Sequence, residues 1–398
     1  MQTSVAPQRE LKLFWLAVGN LIASTGSSFM WPMTTIYMHN YLHESLTVAG
    51  IVLFLDSLLM IGGSYFGGYI YDHLNPRRWL LTSIGISLLA VTILIFYNGW
   101  PAYPVFLLLD AFGIGITNTI LNSMATSITR YTSRYVFNIT YLMMNLGVVL
   151  GTLCVGFIID ISITLIFVIN AIMIFVFLII AFYCYFPVTN HAKKRRNKDP
   201  KTTTTSSAAV RVIIGILLVA FCIQLGYSQW SSNLSVYMGT KGINMAKYSL
   251  LWTLNGVIIV LSQPVISWVD ERFNVNTLYK LFGGTAMFIV AFFSLTFARE
   301  YSGFVLSMIL VTVAEVYTFP TISAVVDELS GLNEKGKYQA NVNVAFSAGR
   351  AVGPLFGGVI IDLLTYNTLF ISMALLILIS GILLVSLVRT NLRKKDHA

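Results

Sequence analysis

Twelve apolar runs recur along the chain, near 13–38, 46–71, 79–98, 102–127, 136–160, 162–186, 210–238, 247–270, 278–298, 302–327, 339–364 and 366–388. A helix needs about 20 apolar residues to cross the roughly 30 Å hydrocarbon core of a bilayer, and every run is long enough. Strands are not expected, because an open sheet edge finds no partners in lipid and no alternating barrel pattern occurs. The prediction is an all-α membrane protein with twelve transmembrane helices. Composition agrees: of 398 residues, 56% are hydrophobic and 10% charged, with a mean hydropathy of +0.77. Soluble domains carry about 25% charged residues. The gaps between runs leave no room for a soluble catalytic domain. An enzyme, a nucleic-acid-binding domain and a secreted disulfide scaffold are all disfavoured.

The formal net charge of +9 is distributed as a membrane requires, not as a nucleic-acid partner does. Arg9 and Lys12 precede the first run, Arg77 and Arg78 follow the second, and Arg130 and Arg134 follow the fourth. Then come Lys193, Lys194, Arg195, Arg196 and Lys198, followed by Arg272, Lys335 with Lys337, and a tail with Arg389, Arg393, Lys394 and Lys395. The opposite loops hold only Lys241, Lys247 and Arg299. Basic loops stay inside, so both termini are predicted to be cytoplasmic in a multi-pass protein of the cell membrane. The first run is too long for a signal-peptide core and reads as a retained helix. Residues 188–209 join a basic run to Thr202-Thr203-Thr204-Thr205-Ser206-Ser207, which cannot pack a core, so a flexible cytoplasmic linker is expected there. It separates residues 1–187 from 210–398, with six runs on each side. That is the pattern of two parallel six-helix halves meeting at a central cavity. Cys154, Cys184 and Cys222 lie in apolar runs without metal-ligand spacing and read as buried packing residues.

The turn after the second run reads Gly67-Gly68-Tyr69-Ile70-Tyr71-Asp72-His73-Leu74-Asn75-Pro76-Arg77-Arg78. Small residues allow close helix approach, and Asp72 suits the N-terminus of a neighbouring helix, with Arg77 as a partner. The segment resembles the cytoplasmic gating signature of the major facilitator superfamily at Gly68, Asp72 and Arg77, and departs from it at His73, Asn75 and Pro76. Pro264, Asp270 and Arg272 form a fainter echo after the eighth run. In the second half, Glu315-Val316-Tyr317-Thr318-Phe319-Pro320 leads through Asp327 to Gly336-Lys337-Tyr338-Gln339. It continues with Ser347-Ala348-Gly349-Arg350-Ala351-Val352-Gly353-Pro354-Leu355-Phe356-Gly357-Gly358 and ends at Asp362. This stretch is similar to helices ten and eleven of the bacterial multidrug exporters of that superfamily, and Asn255-Gly256 with Gln263-Pro264 agrees. The fifth run has small residues at Gly147, Gly151 and Gly156 beside Asn145, but lacks the glycine-proline pair of the antiporter signature. The resemblance implies the major facilitator fold, bacterial origin, a monomer, a functional acid at Glu315, and structural or pairing roles for Arg350, Gly353, Pro354 and Gly357.

Ionisable residues inside the runs carry the chemistry. A charge at the bilayer centre costs about 2.5–3.5 kcal/mol even on the lenient scale, so it must be paired, neutralised or hydrated. By helix rise, Glu315 lies roughly 20 Å from the outer end of the tenth span, and Arg350 reaches about 16 Å into the eleventh from the cytoplasmic side. The two are placed to meet. Two readings stand: a static Glu315–Arg350 pair, or a carboxylate that gains and loses a proton. Asp56 and Asp110 lie roughly 12–15 Å from the outer surface without a basic partner in their own segments, and join Glu315 as proton-coupling candidates. Asp110 is placed better to meet substrate, whereas Asp56 also suits a solvated vestibule. Related antiporters often carry an arginine near the position of Asp110.

Asn20, Trp31, Asn118, Asn122, Gln224, Tyr227, Trp230 and Asn233 are the candidate substrate-cavity residues, on the first, fourth and seventh spans. Aromatic faces near an acid suit amphipathic cations, at roughly 0.5–2 kcal/mol per cation–π contact. The same residue types also serve as interface anchors and helix bridges. His39 and His43 lack a third metal ligand and read as loop residues. Gly331-Leu332-Asn333-Glu334-Lys335-Gly336-Lys337-Tyr338 imitates a phosphate loop, but Tyr338 stands where Ser or Thr must hold magnesium. No cofactor or nucleotide is expected. The sequence thus predicts a proton-coupled secondary transporter that exports hydrophobic or cationic small molecules. A transporter or flippase of a neutral metabolite or lipid-like molecule, and a non-transporting membrane sensor or assembly subunit, remain as alternatives.

Overall fold

The computed structural model describes residues 11–125, 128, 130–131, 133–158, 161–185, 205–273, 276–331 and 334–391. Among them no strand occurs, and twelve helices are long and apolar enough to cross a membrane. The first six are α1 (Leu13–Ile36), α2 (Leu46–His73), α3 (Pro76–Phe96), α4 (Ala102–Ala125), α5 (Ser133–Ile158) and α6 (Ile163–Cys184). After them come α7 (Ser207–Ser231), α8 (Asn233–Thr240), α9 (Met245–Phe273), α10 (Thr277–Leu295), α11 (Tyr301–Leu329), α12 (Lys335–Leu363) and α13 (Tyr366–Asn391). The helices coincide with the apolar runs to within a few residues.

The seventh run departs from expectation. It is split at Ser232, whose amide and hydroxyl both donate to the Ser228 carbonyl, at 3.1 and 2.8 Å. Ser231, Ser232 and Asn233 offer the backbone side-chain partners that compete with the helix ladder, and α8 restarts after Ser232, whose ψ of −84° leaves the helical range. The expected linker lies largely outside the described residues. Its residues 205–209 are described, and the last three already belong to α7, so the linker ends earlier than expected. The Thr205 amide donates to the Glu334 carboxylate at 2.9 Å, and the Thr205 hydroxyl accepts from the Gly331 amide at 2.9 Å. Those two bonds fasten the start of α7 to the loop joining α11 and α12.

Apolar side chains face outward along the helices, among them Leu89, Val105, Ile172, Phe175, Ile379 and Ile382. A lipid solvent imposes no cost on that surface. Cys154, expected to be buried, is exposed on α5, while Cys222 is buried. The asymmetry follows from α5 presenting an apolar face that a thiol does not interrupt.

The chain divides into two compact units, Met1–Met33 with Leu55–Arg195, and Thr34–Phe54 with Arg196–Ala398. Each contains the same helix contact. In the first, Gly151 of α5 has no room for a side chain against Ser28 and the Thr25 carbonyl of α1. In the second, Gly353 of α12 is pressed in the same way against Ser228 and the Leu225 carbonyl of α7. Ser28 and Ser228 even share a back-bond, each hydroxyl donating 2.9 Å to the carbonyl three residues earlier. Small residues permit this approach of two backbones, and the recurrence is what a duplicated parallel repeat leaves behind.

The second unit also takes in the turn leading into α2, beyond the halves expected from sequence. Gly50 and Gly358 let the start of α2 lie against α12, and the Asp362 carboxylate accepts from the Thr47 amide at 2.7 Å and its hydroxyl at 2.6 Å. An acid there caps the first turn of α2 and opposes its dipole.

Candidate functional site

Glu315 sits at the midpoint of α11, held by neutral donors. Its Oε2 accepts from the Tyr227 hydroxyl at 3.0 Å and from Asn255 Nδ2 at 3.1 Å. Asn255 Nδ2 also reaches Thr312 Oγ1 at 3.0 Å, and that hydroxyl donates 2.7 Å to the Met308 carbonyl. The amide therefore ties α9 to two successive positions of α11. Glu315 is half-buried, and its Oε1 accepts no bond from a described residue.

Rings enclose the carboxylate on one side. Tyr227 meets Trp252 and Phe319 edge-on, with centroids 6.2 and 5.8 Å apart. Phe319 stacks on Phe288 at 6.2 Å and lies 5.0 Å from Phe346. The helical period explains the grouping, since Glu315 and Phe319 are i, i+4 on α11, Trp252 and Asn255 are i, i+3 on α9, and Phe346 and Arg350 are i, i+4 on α12. Five helices of one unit, α7 and α9 to α12, thus present an acid, an amide, a phenol and several apolar rings to one place.

Arg350 does not pair with Glu315. Among the described residues it makes no hydrogen bond or ion pair, although its charge acts on the Tyr227 hydroxyl. It is exposed at mid-length of α12, together with Asn343 and Ser347 on the same helix. Exposure of an arginine at that depth demands water, because lipid contact there is too costly.

The other predicted residues are dispersed. Asp110 is 2% exposed on α4, where the Ser87 hydroxyl lies 3.4 Å from its main-chain carbonyl and its own Oδ1 has no partner among the described residues. Asp56 on α2 is half-buried, near enough for the two acids to interact. Asn118 and Asn122 are exposed one turn apart on α4, and Asn20 is buried, donating 2.8 Å to the Leu16 carbonyl. The side chain of Trp31 lies outside the described residues. Trp230 is buried, and Gln224 lies under Gly349. Asn233 donates 2.7 Å to Gln229 Oε1, while Gln229 Nε2 donates 2.7 Å to the Gly353 carbonyl. Gly353, Pro354 and Gly357 all lie on this α7–α8–α12 contact.

In the signature turn, Gly68 has open room while Gly67 is the residue pressed against Ile116 of α4. Asp72 is exposed and bonds no described residue; Arg77 donates 2.6 Å to the Phe182 carbonyl. Asn75 and Pro76, which depart from the signature, start α3: the Asn75 side chain accepts from the Arg78 amide at 3.2 Å and Pro76 occupies the first turn. Trp252, Phe288 and Phe346 were not predicted. The i, i+3 spacing of Trp252 to Asn255 was the available signal, but helical spacing alone does not say which face meets α11.

A family model described as Major Facilitator Superfamily matches residues 16–340 and 281–398. The Bacillus subtilis (strain 168) MFS-type transporter YttB is 34% identical over 375 residues, covering 94% of this chain and 93% of that one. The MFS-type transporter YqjV of the same organism is 25% identical, covering 87% and 86%. Among solved structures, a peptide transporter POT matches with a TM-score of 0.80 at 16% identity, covering 97% of this chain and 96% of that chain. A POT family transporter in complex with 5-aminolevulinic acid matches with a TM-score of 0.80 at 13% identity, covering 96% of both chains.

Proposed function

The chain belongs to the major facilitator superfamily and is a multi-pass membrane transporter of small molecules, and on that premise we propose that it is a proton-coupled exporter of hydrophobic or cationic compounds. One observation carries this reading. Glu315 is an intramembrane acid held by Tyr227 and Asn255, with no basic partner among the described residues and with rings beside it. Neutral donors tolerate both the charged and the protonated carboxyl, whereas a fixed arginine would hold it ionised. Aromatic faces next to a carboxylate suit an organic cation.

In the proposed cycle the deprotonated Glu315 holds the cation, and a proton arriving from outside displaces it. Loss of that proton to the cytoplasm resets the carrier, while alternating access exposes the site to each side in turn. Asp110 and Asp56, two neighbouring acids without basic partners among the described residues, are assigned a supporting part in the proton path. The proposal includes both termini in the cytoplasm, a cell-membrane location, two six-helix halves joined by the linker at 188–209, and function as a monomer.

The test uses purified protein in liposomes with an internal pH dye, to which tetraphenylphosphonium or ethidium is added. The expected result is substrate-evoked proton movement in the native chain and its loss in Glu315→Gln. Movement retained in Glu315→Gln but lost in Asp110→Asn would transfer the coupling role to Asp110. Absence of proton movement with any cation in the native chain would overturn the reading.

A further inference from the structure

The site just described holds two opposite charges that do not neutralise each other. Glu315, half-buried on α11, has an Oε1 that no described residue bonds, and Arg350, exposed on α12, has no hydrogen-bonding or ionic partner among the described residues. Tyr227 links them: its hydroxyl bonds Glu315 and lies within the field of Arg350. Phe346, one turn before Arg350, stands 5.0 Å from Phe319, one turn after Glu315, so an apolar floor runs between the two charged helices.

An acid and a guanidinium kept apart in a water-accessible site each forgo the attraction of the other. A lone cation pairs with Glu315 but leaves Arg350 without a counter-charge. A neutral compound leaves both charges unused. We infer that the site takes an amphoteric substrate, an aromatic molecule carrying both an amine and an acid, with the amine at Glu315, the anionic group at Arg350, and the ring on Phe319 and Phe346. This rests on the assignment of Glu315 as the substrate-facing acid, and among compounds that carry a cationic group it ranks those with a second, negative group above lone cations. Guanidinium is the side chain best shaped to receive a carboxylate or phosphonate through two parallel hydrogen bonds.

The experiment is equilibrium binding, so that it does not depend on proton coupling. Full-length protein in detergent is titrated with Nε-dansyl-lysine, which is a zwitterion, with its methyl ester, which is a cation, and with its Nα-acetyl derivative, which is an anion, following dansyl fluorescence. The expected result is that the zwitterion binds at least about tenfold more tightly than either single-charge probe. Arg350→Gln should close the gap between zwitterion and ester. Arg350→Lys should keep part of it, which separates a lost charge from a misfolded helix. Glu315→Gln should close the gap between zwitterion and anion. The inference is overturned if the ester binds the native chain as tightly as the zwitterion, if the gap survives Arg350→Gln, or if the zwitterion does not bind at millimolar concentration. Zwitterion preference without evoked proton movement in liposomes would leave this inference standing and remove proton coupling alone.

Discussion

Asn255 carries more of the site than its place in the sequence suggests. One Nδ2 group satisfies both Thr312 and Glu315, so truncation leaves two acceptors short of a donor. Asn255→Ala is expected to cost about 1–3 kcal/mol, read as a lower unfolding midpoint in detergent. Glu315→Gln keeps a carbonyl oxygen for Tyr227 and Asn255 and should unfold close to the native midpoint. A large loss of stability in that variant would mean that Glu315 is mainly structural. Outside the membrane, the Thr205 hydroxyl and then its amide hold the Glu334 carboxyl below the usual carboxylate range. A group with a lowered folded value contributes above its unfolded value and loses that contribution as pH falls through the folded one. Protection against hydrogen exchange at the Gly331 and Thr205 amides, taken relative to the intrinsic rate at each pH, should therefore be flat from about pH 6 to 8 and fall only below about pH 4.3. Glu334→Gln should remove that added dependence.

At the scale of elements, small residues decide which helices touch, and single acids decide how they end. α5 lies on α1 and α12 lies on α7 through glycines in the same relation, Gly151 to Ser28 and Gly353 to Ser228. Gly353→Val would drive methyl groups into Ser228 and the Leu225 carbonyl, and should sharply reduce the monodisperse protein recovered by size exclusion. Asp362 ends α12 while capping α2, with two bonds to Thr47. Asp362→Ala should cost about 0.5–2 kcal/mol and quicken exchange at the Thr47 amide while leaving the rest of α2 protected. The break at Ser232 was not visible in the hydropathy of the seventh run, because serines and asparagine interrupt a helix only when their local hydrogen bonds prevail over its ladder.

For the molecule as a whole, the charge of the loops makes the orientation testable. Green fluorescent protein fused at the tail should fluoresce, and a cysteine placed at Gly99 should react with a membrane-impermeant maleimide added from outside. The opposite labelling pattern would reverse the proposed topology. The sequence by itself determined the number of the long apolar helices and, the seventh apart, their limits to within a few residues, because apolar length against bilayer thickness is a local property that each run satisfies alone. It also singled out Glu315, since a charge at that depth is costly wherever its neighbours lie. Only the tertiary structure decided the partners: Tyr227 and Asn255 rather than Arg350, the ring cluster of Trp252, Phe319 and Phe346, and the burial of Asp110, Trp230 and Asn233. Those contacts join helices far apart in the chain, and helix periodicity specifies which residues share a face but not which other helix that face meets.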